Sequence, residues 1–190
     1  MKRIVCFLLA LVLVLGLIPA TATTANAYSA WNTSAKAIDI LKGSATFYAK
    51  EQSGKVGYST PTSYAGAQNY LNNISKEDAV DLMRNYIKDE VDTAINSWAK
   101  SNNIDLAQYE HDALAVHIYR TGSNDGLYDK IRTIKTVNSA ADRLAMVQAF
   151  VDSRYIPTGD VNNETVKTIV DVSLAEAAMY LYGDHRLLNL

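Results

Sequence analysis

Few side chains in this sequence are of types that could do chemistry. Glu51 is a carboxylate in the polar stretch Lys50-Glu51-Gln52-Ser53-Gly54. There it is either simply solvated or directed at a ligand as a relocated acid or base. Tyr58, Thr60, Tyr119 and Arg120 offer aromatic faces, a hydroxyl and a multidentate donor, a set suited to recognising sugars and carboxylates without any acid. The competing reading puts the tyrosines in the core and Arg120 on the surface. His117 sits among apolar neighbours and reads as a packed histidine before a catalytic base. Asp112 and Glu176 read as helix-face hydrogen bonds or ion pairs. The three histidines, His111, His117 and His185, have no zinc-site spacing, so neither a metal nor a cofactor is expected.

The elements that must position these groups follow from the pattern along the chain. Lys2 and Arg3, an apolar run from Ile4 to Ile18, Pro19 and a small-residue stretch ending Ala25-Asn26-Ala27 form a secretory signal peptide, cut after Ala27. The apolar run is short of the ~20 residues that span a bilayer, so no membrane anchor is expected once it is removed. The single cysteine, Cys6, leaves with it, and the exported protein then has no disulfide and no thiol nucleophile. Loss of Lys2 and Arg3 moves the formal charge from -2 to -4. That balance argues against nucleic acid and anionic lipid as partners and gives no electrostatic help against an anionic cell wall. Residues 28–190 are the right length for one domain, expected to be a monomer.

Within that domain the stretch Lys42 to Thr60 breaks a helical rhythm. Thr46-Phe47-Tyr48 and Lys55-Val56-Gly57-Tyr58 are β-rich runs on either side of the polar link, which predicts a β-hairpin. A short helix precedes it, with Ala37, Ile38, Ile40 and Leu41 apolar and Gly43 at its end. Pro61 to Asn73 reads as a loop. Ser75 then starts a long amphipathic helix with an apolar stripe from Ala79 to Trp98. Asp105 is the expected cap of a central helix, Leu106 to Thr121, apolar on most faces and closed by Gly122. Helices over Gly126 to Ile134, from Ser139 through Val151, and from Asn163 to Gly183 follow, with a loop at Pro157-Thr158-Gly159. The fold class is mostly α (α+β), a helical domain with a small β-hairpin lobe.

Gln108-Tyr109-Glu110-His111-Asp112-Ala113-Leu114 with Tyr119-Arg120-Thr121-Gly122 resembles the buried helix of phage-type lysozymes, glycoside hydrolase family 24. Four more segments are similar to that family in the same order. They are Ser34-x-Lys36-x-Ile38, Val56-Gly57-Tyr58, Ile74-Ser75-Lys76-Glu77-Asp78-Ala79 and Ala175-Glu176-Ala177-Ala178-Met179-Tyr180-Leu181-Tyr182-Gly183. The resemblance implies a lysozyme-like fold, a place outside the cell or on the bacterial wall, and peptidoglycan glycan strands as partner. It also implies glycan hydrolysis as the inherited reaction, and puts Tyr58, Thr60, Tyr119 and Arg120 on or near the cleft.

The catalytic positions depart from the family pattern. The family acid, a Glu ending the first helix, falls at Lys42 or Ala45, depending on the register. The hairpin Asp falls at Lys50 or Glu51, and the strand Thr at Lys55. Glycoside hydrolysis usually needs two carboxyl groups flanking the bond, and a lysine holds its proton too tightly to replace the acid. Glu51 is the one carboxylate that could survive in a catalytic role. The sequence therefore leaves a weakened muramidase and a non-catalytic wall-binding or protein-interaction module both open.

Overall fold

The first helix starts where a serine side chain replaces a missing backbone acceptor. In the computed structural model, which describes residues 29–124, 126–134, 139–153 and 164–185, helix α1 spans Ala35–Ser44. The Ser34 hydroxyl accepts from the Ala37 amide at 3.2 Å. Ala37, Ile38, Ile40 and Leu41 form its buried face, at the spacing of one helical stripe. The expected leader, the Pro157-Thr158-Gly159 loop and Asn163 lie outside the described residues.

A three-stranded antiparallel sheet follows: β1 Tyr48–Gln52, β2 Lys55–Gly57 and β3 Thr60–Pro61, in that order. The expected hairpin is present but its turn is shorter than the sequence suggested. Lys50, Glu51 and Gln52, read as link, belong to β1, and only Ser53 and Gly54 make the turn, both at positive φ (53° and 75°). Two successive positive φ values match the twist of the flanking strands, which lets so tight a turn close the pair. Thr46 and Phe47, read as strand, precede it. The third strand was not foreseen, because two residues carry no alternation to detect.

Pro61 to Asn73, expected as a loop, contains a 3-10 helix, Ala65–Tyr70, with Ala67 buried. Helix α2, Lys76–Tyr86, is capped by Ser75, whose hydroxyl accepts from the Asp78 amide at 3.0 Å. It runs through a π-helical turn, Ile87–Asp92, into α3, Thr93–Ser101. The expected long amphipathic helix is thus one continuous rod with a π insertion. Met83, Ile87, Val91, Ile95 and Ala99 keep its stripe buried.

The sheet leans on this rod at Gly57, where a β-carbon would meet the Ala79 Cβ at 3.0 Å. The outer side of β1 is held too, by Glu51 N to Leu71 O at 2.7 Å and Ile74 N to Ala49 O at 2.8 Å. The central helix α4 is Gln108–Thr121, buried from His111 through His117 and closed by Gly122 at φ 77°. Its start differs from the expectation: Asp105 does not cap it. The Glu110 carboxylate instead accepts from the Ala107 amide at 2.7 Å, while Asp105 accepts from Ser29 at 3.4 Å.

Helices α5, Leu127–Ile134, α6, Ala140–Asp152, and α7, Glu164–Tyr182, complete the body. Helix α7 packs along α4 and α6, and α5 packs on α6. Gly183, at φ 65°, ends α7. The architecture is mostly α with a small antiparallel sheet.

Candidate functional site

The place to look is where the foot of the hairpin meets the C-terminal ends of α1 and α4. Three of the sequence-selected residues come together there. The Tyr119 hydroxyl donates a short hydrogen bond to the Tyr58 carbonyl and lies 3.4 Å from Thr60 Oγ1. Tyr58 is buried, its ring tilted on Phe47 at 5.3 Å between centroids, and Thr60 is fully buried. These contacts join β2 and β3 to α4, so the hydroxyls that could face a ligand hold the two lobes to each other.

Burial pushes the Tyr119 phenol well above its ordinary range, so it remains a donor. Its ring continues outward as an aromatic ladder: Tyr119 meets Tyr86 edge-on at 5.8 Å, and Tyr86 meets Tyr64 at 5.4 Å. The Tyr64 hydroxyl donates to Asp89 Oδ2 at 2.7 Å, a bond that pushes its pKa up to about 12. Tyr64 and Tyr86 are only half-buried and present ring surface at the edge of the ladder.

Arg120 lies beside this group and is not a plain surface residue. Its side chain is 15% exposed and bridges two elements: Nη2 donates to Ser44 Oγ at 2.7 Å, and Nη1 lies 3.4 Å from Glu176 Oε1. Ser44 is the last residue of α1, between the two candidate acid positions Lys42 and Ala45. The guanidinium therefore binds the C-terminal end of α1. Ser44 and Glu176 are the partners that sequence reasoning could not supply, since they are 76 and 56 residues away.

Glu51 is elsewhere. Its side chain is exposed, and Oε1 accepts from the Gly54 amide at 2.9 Å. That contact makes it a stabiliser of its own turn, the solvated role that competes with catalysis. Lys42 is exposed on α1.

Behind the site, His117 is packed as expected, with Nδ1 2.8 Å from Glu176 Oε2 and Nε2 3.1 Å from Ser153 Oγ. Asp112 is buried and hydrogen-bonded, one of its donors being Gln108 a helical turn back on α4. It accepts from Ser34 N at 2.9 Å, Ser34 Oγ at 2.6 Å and Gln108 Nε2 at 2.9 Å. Asp92 makes the parallel pair of contacts with Thr33, N at 3.0 Å and Oγ1 at 2.6 Å. Sequence reasoning missed Asp92, although it stands three residues before Ile95 and seven before Ala99, on the apolar stripe. Among the described residues, no group of three or more His, Cys, Asp or Glu side chains is placed to hold a metal ion. Nor is any described helix long and apolar enough to cross a membrane.

No protein-family model, curated protein or solved structure matches this chain.

Proposed function

We propose that this chain is a secreted, lysozyme-like domain that binds bacterial cell-wall peptidoglycan without hydrolysing it, a pseudoenzyme of the muramidase type. The observation that carries the non-catalytic reading is the state of the hairpin lobe. Glu51, the one carboxylate left at a catalytic position, is engaged by the Gly54 amide in an exposed turn. The end of α1, where the acid would stand, carries Lys42, Ser44 and Ala45, and Arg120 holds Ser44. A general acid must reach the leaving oxygen with a proton it can give up, and neither an exposed lysine nor an alanine does so.

The wall-binding part rests on two supports. Helix, hairpin, long helix, buried central helix and an Ala-Glu terminal helix occur in the order that the resemblance to phage-type lysozymes implies. The half-buried Tyr64 and Tyr86 rings, braced by Tyr119, offer apolar faces on which sugar C–H groups can stack. With a negative balance after leader removal, retention on the wall has to come from such stacking and hydrogen bonding, not from long-range attraction.

The test is turbidity clearing of isolated walls together with pull-down on insoluble peptidoglycan, using the exported chain and its Glu51→Gln variant. The expected outcome is retention without clearing in both. Clearing that Glu51→Gln abolishes overturns the non-catalytic reading. Absence of retention overturns the wall-binding reading.

A further inference from the structure

Away from the hairpin, a groove of about 400 Å³ lies between the start of α1 and the junction of α2 with the π turn. We propose that this groove binds the carboxyl end of a short peptide whose last side chain is small and apolar. Only the biological source of that peptide, a stem peptide of the wall, rests on the cell-wall reading above.

Ala35 is exposed on the lining and the buried Ile38 and Ile87 form its apolar floor, while Arg84 and Lys88 stand on the same lining one helical turn apart. The volume is in the range of small-molecule sites and well above that of one water. Asp92 also lines the groove, but both of its oxygens accept from Thr33, the backbone amide and the hydroxyl. Its oxygens are thereby occupied, so the two cations are the groups able to meet a ligand directly, while the carboxylate acts on it only through its charge.

Neither cation is locked in place. Arg84 lies 3.5 Å from Asp81, with both side chains more than half exposed (52% and 74%), an arrangement worth little in water. Lys88 is exposed and makes no ion pair among the described residues.

The chemistry selects a monoanion with an apolar body. A guanidinium supplies the two-pronged donor that a carboxylate accepts, and an ammonium one turn away adds a second positive charge on the same lining. Ala35, over the floor formed by Ile38 and Ile87, rewards a methyl-sized side chain next to that carboxylate, and the buried Asp92 at the back disfavours a dianion more than a monoanion. A free phosphate satisfies the cations but leaves the apolar surface uncovered and meets Asp92 with twice the charge.

The experiment uses the full chain expressed with export and titrates three probes by isothermal calorimetry and amide NMR: N-acetyl-D-alanyl-D-alanine, its C-terminal amide, and inorganic phosphate. We expect saturable binding of the acid with a dissociation constant on the order of millimolar, and binding of the amide and of phosphate about tenfold weaker. Arg84→Gln with Lys88→Gln, both exposed positions, is expected to weaken the acid about tenfold while circular dichroism stays unchanged. Lys42→Gln, at the far end of α1 and outside the lining, should leave it unaltered. Equal binding of acid and amide, phosphate binding as tight as the dipeptide, or no saturation overturns the proposal.

Pull-down on insoluble peptidoglycan separates the two readings. Wall retention without dipeptide binding removes the groove proposal alone. Dipeptide binding without wall retention removes the cell-wall reading and leaves the groove.

Discussion

His117 Nδ1 lies 2.8 Å from Glu176 Oε2, with both side chains fully buried. Ser153 on the far side of the ring, 3.1 Å from Nε2, completes a serine, histidine and carboxylate series whose spacing is that of a nucleophilic relay. Two facts make it a brace instead. Ser153 is buried, and its hydroxyl donates to the Phe150 carbonyl at 2.9 Å, so its one proton points away from the imidazole. A hydroxyl whose proton is held by a backbone carbonyl does not hand that proton to the ring, which activation requires. The series continues through Arg120 to Ser44 and ties α6, α4, α7 and α1 together.

Breaking this brace should be expensive. Glu176→Leu leaves the His117 and Arg120 donors facing an apolar side chain, and a loss of about 3 kcal/mol or more is expected in urea unfolding. Adding His117→Leu to Glu176→Leu should cost less than the sum of the two single changes, because the pair shares one interaction. Additive losses would show that the two side chains act independently.

Gly57 holds the sheet against α2 at a positive φ of 62°, with space for a β-carbon only at 3.0 Å from Ala79 Cβ. Gly57→Ala combines backbone strain with a steric clash. The expected loss is about 2 kcal/mol, read as a lower urea midpoint with unchanged slope. Gly54→Ala, strained but with open space around it, should cost less than Gly57→Ala.

Acid should destabilise the fold through His111. Its ring is fully buried with neither nitrogen hydrogen-bonded, and its Nε2 is 3.6 Å from Asp92 Oδ1. Burial pushes its pKa below the ordinary 6.5, against the pull of Asp92 and Asp112. A base with a depressed folded pKa contributes stability that is full above the unfolded value and is lost as pH falls through the folded one. Burial raises the Asp92 carboxyl, against the Thr33 hydrogen bonds, and that contribution has the opposite sign: it is present in acid and lost as pH rises through the folded pKa. Stability should therefore fall below about pH 6.5, by at most about 1.4 kcal/mol per pH unit for one proton. In His111→Leu that limb should flatten. An unchanged slope between pH 6.5 and 5 would rule out His111 as its source.

The segment from Ser29 to Ser34 is a strap whose last two residues each give an amide and a hydroxyl to one carboxylate. Asp112→Ala leaves Ser34 N, Ser34 Oγ and Gln108 Nε2 without that acceptor, and a loss of about 2 to 4 kcal/mol is expected. Amide exchange at Thr33 and Ser34 should accelerate more than exchange in α7. Uniform acceleration would mean that the strap does not open separately from the body.

The positions that were legible in the sequence act within a few residues of themselves. Ser34, Ser75 and Ser139 cap helices because a side-chain oxygen reaches an amide three residues on, and Gly122 and Gly183 end them because glycine tolerates positive φ. The stripe through α2 and α3 and the all-round burial of α4 follow from periodicity in the same local way. Asp105 shows where that logic stops: a good cap residue was taken by Ser29, far away in sequence, and the helix started later.

What only the tertiary structure decided is the partner of each polar group. Thr60 and Tyr119, His117 and Glu176, and Thr33 and Asp92 are pairs 59 residues apart. No periodicity encodes such a distance, because it depends on how whole helices cross. Residue type together with the resemblance to phage-type lysozymes marked Glu51, Tyr58, Thr60, Tyr119 and Arg120 as able to meet a ligand. Packing brought the Tyr119 hydroxyl to the Tyr58 carbonyl and beside Thr60 Oγ1, gave Arg120 to Ser44 and Glu176, and left Glu51 to its own turn.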